Sequence, residues 1–195
     1  MTIENTIIFL IGYPGVGKYS IALELCQRTG ARLIDNHLIN NPIFTVVDLG
    51  GSTPVPVRPA TWEKIALVRR AVFEAVAEIG PPGVSYVFTN VLLDEPGDAA
   101  IYREVLSIAT ARDAAFLPVV LTCGPDEHLR RMTNPARRER MKWTDGEGLR
   151  DMVANRPLLP VEHPNLVELD TTNLTAEAAA DALVARLVAV TGTAR

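Results

Sequence analysis

IIFLIGYPGVGKYS, residues 7–20, contains a candidate strand followed directly by a candidate phosphate-binding loop. The first five residues are all apolar, which is typical of a short strand buried on both faces, and Gly12 ends this run. From Gly12 to Lys18 the chain matches the pattern G-x-x-x-x-G-K. The sequence therefore predicts a buried strand, a loop that binds nucleotide phosphates, and a helix that begins at the lysine.

The residue types in this loop have separate physical roles. Glycines have no Cβ, so successive backbone N–H groups can point at an anion. Lys18 is placed to reach the β and γ phosphates, and the start of its helix adds a positive dipole end. The alternative is a tight strand-to-helix connection without a ligand. The residues predicted to bind nucleotide here are Gly12, Pro14, Gly15, Val16, Gly17, Lys18, Tyr19 and Ser20.

One loop position departs from the usual pattern. The residue after the lysine is normally Ser or Thr, whose hydroxyl binds Mg²⁺, but here it is Tyr19, and Ser20 follows it. One residue along a helix is a rotation of about 100°. We predict Ser20 as a metal ligand, through a shifted turn or a water molecule. The alternative is that Mg²⁺ is held mainly by the nucleotide.

Composition and charge limit the function further. The chain has 195 residues, of which 48% are hydrophobic and 22% charged, as expected for one α/β domain. The basic segment, residues 130–142, has six basic residues and one acid, a local charge of +5 in a chain of net charge −4. This distribution suits a small anion as partner and argues against nucleic acid.

Cysteines and apolar runs indicate the compartment. Cys26 and Cys123 have no CxxC spacing and lie in or beside apolar runs, which favours reduced, buried thiols. No stretch approaches the ~20 apolar residues of a membrane span, and the amino-terminal residues lack a signal-peptide pattern. We expect a cytoplasmic protein without a membrane partner, acting as a monomer or homodimer.

A second strand, predicted from Ala31 to Ile34, ends at Asp35, Asn36 and His37. Ligands in doubly wound sheets bind beyond the carboxyl ends of the strands. Asp35 is therefore predicted to orient or deprotonate the hydroxyl of an acceptor, and its alternative role is to cap the helical turn that follows. A histidine here more often packs or caps than binds substrate, and for His37 both roles stay open.

The middle of the chain offers weaker signals. Residues 48–60 are predicted to form an irregular loop that covers the acceptor, with Arg58 as an anion contact. Thr61 is predicted to cap a long helix, and a third strand is predicted over Val84 to Thr89. Asp94 is the acid nearest the end of that strand, so we predict it as a Mg²⁺ ligand through water, with a turn residue as the equal alternative.

The second half adds two strands and the basic segment. We predict a helix from about Asp98 to Arg112 and a buried strand from Ala115 to Thr122. The basic segment has few apolar residues, so it is either a solvated surface or a lid of about residues 131–145 that closes over phosphate. Predicted elements after it are a helix that begins in the capping box Thr144 to Glu147, a strand over Asn165 to Leu169, and a final helix capped by Thr175.

The whole chain resembles the small P-loop kinases, the group of shikimate kinases, nucleoside-monophosphate kinases and chloramphenicol phosphotransferases. The resemblance rests on the loop from Gly12 to Lys18, the acid Asp35 after the second strand, the arginine-rich lid, and the Leu-Asp-Thr-Thr sequence that ends at Thr172. It implies an α/β P-loop three-layer sandwich with a five-stranded parallel sheet in the order 2-3-1-4-5, and a requirement for ATP and Mg²⁺.

The resemblance also implies residue roles. Lys18 and Asp35 match catalytic positions, and Arg131 and Arg137 match lid arginines that act on the transferred phosphoryl group, with Arg138 as the alternative to Arg137. Thr171 to Leu174 match an adenine loop. The predicted nucleotide-binding residues therefore also include Thr172 and Leu174, together with Arg131 of the lid. Neither a second acid two residues after Asp35 nor the glycine triplet of shikimate kinases is present, so shikimate is not the expected acceptor.

The sequence as a whole predicts a single-domain ATP-dependent phosphotransferase for a small-molecule hydroxyl or phosphate. The first alternative is a nucleotide-binding NTPase or switch protein that has no acceptor except water. Tyr19 and the lack of an acid within the third strand favour that alternative. A nucleic-acid end kinase is disfavoured by the overall negative charge.

Overall fold

The structure is a computed structural model that describes residues 3–48, 57–134, 137 and 142–191. Most of the predicted cover loop and several residues of the basic segment, including Arg138, lie outside these ranges. Within them, no helix combines the length and the apolar character needed to cross a membrane.

A five-stranded sheet with the order β2-β3-β1-β4-β5 forms the centre of the molecule. All four strand pairs are parallel, and every residue of the central strand β1 is buried. The predicted parallel sheet and its strand order are confirmed. The strands are β1 (Thr6–Ile11), β2 (Arg32–Asp35), β3 (Tyr86–Asn90), β4 (Ala115–Thr122) and β5 (Val167–Asp170).

Seven α-helices are described in the same ranges. A π-helical turn, Ala75–Ile79, continues the third of them. The helices are α1 (Lys18–Thr29), α2 (Asn36–Val46), α3 (Pro59–Glu74), α4 (Pro96–Ala111), α5 (Pro125–Met132), α6 (Gly146–Asn155) and α7 (Ala176–Thr191).

Helices cover both faces of the sheet, because the side chains of β1 alternate between two apolar cores. Ile8 and Leu10 pack with residues of α1 and α7. Ile7, Phe9 and Ile11 pack with residues of α2, α3 and α4 on the other face. This arrangement explains the uninterrupted apolar run of β1, since neither face of the strand meets water.

The helix ends include two predicted caps that are wrong. Helix α3 begins at Pro59, so Thr61 is a buried residue of its first turn rather than its cap. Helix α6 is capped by Asp145 instead of Thr144, because the Asp145 carboxylate accepts from the N–H groups of Glu147 and Gly148 at 3.0 Å each. The Thr175 cap is confirmed, since its hydroxyl accepts from the N–H group of Ala178 at 3.2 Å.

Candidate active site

The phosphate-binding loop lies between the carboxyl ends of β3 and β4. The N–H group of Gly12 donates to the carbonyl of Asn90 at 3.3 Å. A Cβ on Gly12 would lie 2.6 Å from the carbonyl oxygen of Leu121, so only glycine fits at this close approach. Gly17 caps α1 with a φ of 104°, in the left-handed region that other residues rarely adopt. Glycine is therefore required at Gly12 by the close approach and favoured at Gly17 by the backbone angle, and the binding of phosphate by the N–H groups of the loop stays a prediction.

The side chain of Lys18 folds back over this loop. Its Nζ donates to the carbonyl of Gly12 at 2.6 Å and to that of Tyr13 at 2.9 Å. Burial lowers the pKa of Lys18 to about 7, the ammonium of Lys142 acts in the same direction, and the carboxylate of Asp35 opposes them. A cation that is held beside another cation favours binding of an anion.

Asp35 ends β2 and is buried, with 4% of its surface exposed. It occupies the backbone position of the cap of α2, but its side chain makes no capping hydrogen bond. The carboxylate instead accepts from the hydroxyl of Thr89, its partner across the strand pair β2 and β3. The carboxylate is therefore fixed at the same edge of the sheet as the phosphate loop and acts on the charge of Lys18.

Uncharged polar groups surround Asp35 at the start of α2. The N–H group of Asn36 donates to the Thr89 hydroxyl at 3.2 Å, and the amide of Asn90 donates to that of Asn36 at 3.4 Å. His37 Nδ1 lies 3.2 Å from the amide oxygen of Asn41. Burial lowers the pKa of His37, Lys142 adds to this effect, and Asp35 opposes it. A neutral imidazole is therefore expected at pH 7.

Arg131, on α5, connects the phosphate loop to the segment after β5. Its Nε pairs with Glu127 at 2.6 Å, and only 19% of its side chain is exposed. Its position here fits the predicted nucleotide-binding role, whereas an action on the transferred phosphoryl group stays a prediction. The guanidinium donates to the carbonyls of Val16 at 3.3 Å, Thr171 at 2.7 Å, Thr172 at 3.4 Å and Leu174 at 3.4 Å.

A cleft of about 310 Å³ opens beside Arg131. Gly17 and Ser20 form one wall, residues of α5 form another, and Leu174 lies in the wall that leads into α7. Thr172 lies next to it and accepts a hydrogen bond from the N–H of Gly124 at 2.7 Å. The structure thus brings the predicted adenine-loop segment together with the end of the phosphate loop.

Arg137 and Lys142, two described residues of the basic segment, act on the charge of the loop lysine. Both lower the pKa of Lys18. Nε of Arg137 donates to the carbonyl of Trp143 at 3.1 Å. Lys142 Nζ lies 4.1 Å from the ring centroid of Tyr19. Among the described residues, Arg137 and Lys142 therefore add positive charge around Lys18, and the buried carboxylate of Asp35 opposes it.

Two residues that contact the candidate site are not indicated by any sequence pattern. His128 is buried on α5, and its Nε2 donates to the carbonyl of Pro14 at 2.7 Å, which supports the phosphate loop from outside. Thr89 holds Asp35 as described above. Neither position follows a motif, and His128 is 114 residues from its partner, so the contact follows only from the fold.

The predicted metal ligands lie in different surroundings. Ser20 is exposed in the wall of the cleft, and Asp94 lies in an exposed bend where its N–H donates to the carbonyl of Pro157 at 2.9 Å. Among the residues that the structure describes, no group of three His, Cys, Asp or Glu side chains could hold a metal ion. Ser20 and Asp94 fit a metal ion that binds together with the nucleotide better than a metal ion that the protein holds by itself. Their roles as metal ligands stay predictions.

Comparisons with known proteins agree on the fold. No family model matches the chain, and no curated protein matches it. A sugar kinase from Janibacter sp. HTCC2649 superposes with a TM-score of 0.60 at 18% identity, covering 94% of both chains. A gluconokinase from Sinorhizobium meliloti 1021 gives 0.61 at 13% identity, over 97% of this chain and 96% of its own.

An APS kinase from Mycobacterium tuberculosis, solved in complex with AMPPNP and APS, gives a TM-score of 0.55 at 16% identity, over 95% of this chain and 98% of its own. At these identities the likeness establishes the fold alone. The fold is that of the small P-loop kinase group, as the resemblance implied.

Proposed function

We propose that this protein is an ATP-dependent phosphotransferase that moves the γ-phosphate of ATP to a hydroxyl or phosphate of a small molecule. The observation that supports this most directly is the presence of two opposite charges at one edge of the sheet. Lys18 lies on the phosphate loop, and the buried carboxylate of Asp35, from β2, acts on the charge of that lysine. A donor-binding cation and an acceptor-binding carboxylate are the two groups that phosphoryl transfer requires.

The donor side accommodates a nucleotide. Loop N–H groups and Lys18 bind the β and γ phosphates, and the cleft beside Arg131 receives the nucleoside. Arg131 positions the loop and the Leu174 segment by holding their carbonyls, and the guanidinium of Arg137 adds positive charge near the transferred group. The relatives by fold, a sugar kinase, a gluconokinase and an APS kinase, support a donor site of this kind.

The acceptor side depends on Asp35. The carboxylate accepts a hydrogen bond from the acceptor hydroxyl and orients its oxygen toward the γ-phosphorus. The new O–P bond forms as the bond to the leaving oxygen of ADP breaks, and the hydroxyl proton passes to the carboxylate. Thr89 holds the carboxylate in place from β3.

Magnesium, when bound with ATP, would neutralise charge on the β and γ phosphates and polarise the bond that breaks. Ser20 and Asp94 are the proposed protein ligands, and water molecules and phosphate oxygens supply the rest.

Two variants test this function. Lys18→Met is expected to abolish AMPPNP binding, measured by calorimetry, because the triphosphate loses its main cation. Asp35→Asn is expected to bind AMPPNP as the wild type does and to lose at least 100-fold in transfer rate. Transfer is followed as phosphorylated product by mass spectrometry, over a panel of sugars, nucleosides, aminoglycosides and other antibiotics. Asp113→Asn, an exposed acid at the opposite end of the sheet, is the control.

The outcomes separate the alternatives. If the wild type binds no nucleotide, the proposal is wrong. If it hydrolyses ATP without any acceptor and Asp35→Asn leaves that rate unchanged, the protein is an NTPase or switch instead of a kinase.

A further inference from the structure

The ring of Tyr19 occupies the helix position where related loops present a metal-binding hydroxyl, and the structure places a cation against it. Lys142 Nζ lies 4.1 Å from the centroid of this ring, well within the ~6 Å range of a cation–π contact. Tyr19 is adjacent to Lys18 in the sequence, so the contact brings the Lys142 ammonium to the first turn of α1.

The surroundings of Lys142 define which part of the site it serves. Its ammonium lowers the pKa of both Lys18 and His37. Asp35 acts on the same two groups with the opposite sign. The Lys142 ammonium, held against the ring of Tyr19, is therefore close enough to Lys18 and His37 to act on the charge of both. The nucleoside cleft is lined by Ser20, which is rotated by about 100° from Tyr19 around the helix.

The backbone around Lys142 is held in place. Its N–H group donates to the carbonyl of Arg137 at 3.0 Å, and Nε of Arg137 donates to the carbonyl of the next residue, Trp143, at 3.1 Å. The Trp143 ring packs so closely on Gly148 of α6 that a Cβ there would lie 2.5 Å from it. The ammonium thus belongs to a residue whose own backbone and that of the next residue are hydrogen-bonded to Arg137.

We propose that Lys142 binds the terminal phosphate of the nucleotide next to Lys18, and that the ring of Tyr19 positions its ammonium for this contact. The inference rests on the proposed function and assigns a role to two residues of that same site. Two ammonium groups repel each other unless an anion lies between them, and a terminal phosphate is the anion that the phosphate loop would place there. Tyr19 thereby replaces a hydroxyl that holds a metal with a ring that holds a lysine.

The test measures dissociation constants for AMPPNP and ADP by calorimetry, with the full chain and no acceptor. A terminal-phosphate contact predicts that Lys142→Met lowers the ratio of the ADP constant to the AMPPNP constant about tenfold. Tyr19→Leu, which removes the ring, is expected to lower the ratio at least threefold, and Tyr19→Phe recovers most of this loss. Lys64→Met removes an exposed lysine of α3 and serves as the charge-matched control.

A double variant isolates the pair. If Tyr19 acts through Lys142, then adding Tyr19→Leu to Lys142→Met lowers the ratio no further. Lys142→Arg keeps the positive charge, so the logarithm of the ratio is expected to stay at least half of its wild-type value. This variant allows the proposal to be tested even if Lys142→Met fails to fold. Melting temperatures identify such a failure.

Two results would overturn the inference. The first is an unchanged ratio in Lys142→Met, which includes equal weakening of AMPPNP and ADP, and the second is a Tyr19→Phe variant as defective as Tyr19→Leu. Each of these leaves the proposed function standing as long as the wild type binds AMPPNP and Lys18→Met does not. Loss of binding in the wild type itself would instead overturn the proposed function.

Discussion

The hydroxyl of Thr89 donates a hydrogen bond to the carboxylate of Asp35, with 2.5 Å between the two oxygens. The two residues are register partners at the carboxyl ends of β3 and β2. The same hydroxyl accepts from the N–H of Asn36, the first residue of α2. One side chain therefore fixes both the carboxylate and the helix that follows it, which makes Thr89 a positioning residue for Asp35.

Thr89→Val tests this role, since valine has a similar shape and no hydroxyl. We expect kcat for phosphoryl transfer to fall about tenfold, because the carboxylate loses its orienting donor, while the AMPPNP dissociation constant changes less than about twofold. Stability should fall by about 1 kcal/mol in urea unfolding. Thr89→Ser keeps the hydroxyl and should restore most of kcat, and equal defects in both variants would contradict the role.

Arg131 and Arg130 form a matched pair for a second test. Arg131 is mostly buried and holds four backbone carbonyls, whereas 73% of the Arg130 side chain is exposed and its ion pair is with Glu127. Arg131→Met should destabilise the protein by about 2 to 4 kcal/mol and weaken AMPPNP binding, because buried carbonyls lose their donors.

Arg130→Met should cost less than about 1 kcal/mol and leave AMPPNP binding intact, since exposed ion pairs contribute little. Urea unfolding and calorimetry of the two variants give the comparison. Similar losses in both would show that net charge, rather than the Arg131 network, stabilises this part of the molecule.

Local patterns were sufficient to predict the strands but not their order in the sheet. The apolar run of β1 and the glycine loop after it identify the central strand and its position, and the strand order followed from the resemblance to P-loop kinases. Helix α2 was predicted only as a helical turn. Its sequence, NHLINNPIFTV, contains three asparagines and a proline, all poor helix formers, and apolar packing of Ile39 and Phe44 stabilises it instead.

The candidate site was predictable only where a motif or the end of a strand marks a side chain. Lys18 and Asp35 follow from motif and strand position, but the residues that hold them in place do not. His128 and Thr89 contact the loop and the carboxylate through pairings between distant segments, and the partner of Tyr19, Lys142, lies in a charged run in which no single residue stands out. Such contacts depend on tertiary packing, which leaves no local periodicity in the sequence.

His128 provides a third prediction. His128→Phe keeps an aromatic ring but removes the Nε2–H group that donates to Pro14, so we expect AMPPNP affinity to fall about three- to tenfold and stability to fall by about 1 to 2 kcal/mol. His128→Gln retains an N–H donor and should be less affected. The hydrogen-bond explanation fails if the glutamine variant is as weak as the phenylalanine variant in calorimetry and urea unfolding.

Lys18 gives a prediction about pH. Burial lowers its pKa from 10.5 to about 7, so between these pH values the unfolded chain binds a proton that the folded protein releases. Stability of the nucleotide-free protein should therefore rise with pH from about 7 upward. At pH 7 the folded protein still bears much of the cost of a buried charge, and Lys18→Met removes this cost.

We expect Lys18→Met to melt several degrees above the wild type at pH 7. The difference between the two melting temperatures should shrink as the pH approaches 9. The same variant loses the stabilisation by AMPPNP. Lys64→Met is exposed and should show neither effect. A Lys18→Met protein that melts below the wild type at pH 7 would mean that the hydrogen bonds to Gly12 and Tyr13 outweigh the burial of the charge.

The close approach of the phosphate loop to β4 can be tested by adding one methyl group at Gly12, with the same change at Gly97 as the control. In Gly12→Ala the new Cβ meets the Leu121 carbonyl at 2.6 Å, and β4 is an inner strand whose backbone has no room to shift. We expect the free energy of unfolding to fall by about 1 to 3 kcal/mol and AMPPNP binding to weaken.

Gly97, in the first turn of α4, has open space around it, so Gly97→Ala should be neutral or stabilising by up to about 1 kcal/mol. Wild-type stability and AMPPNP binding in Gly12→Ala would show that the loop can move away from β4, and the geometry assigned to the phosphate site would then need revision.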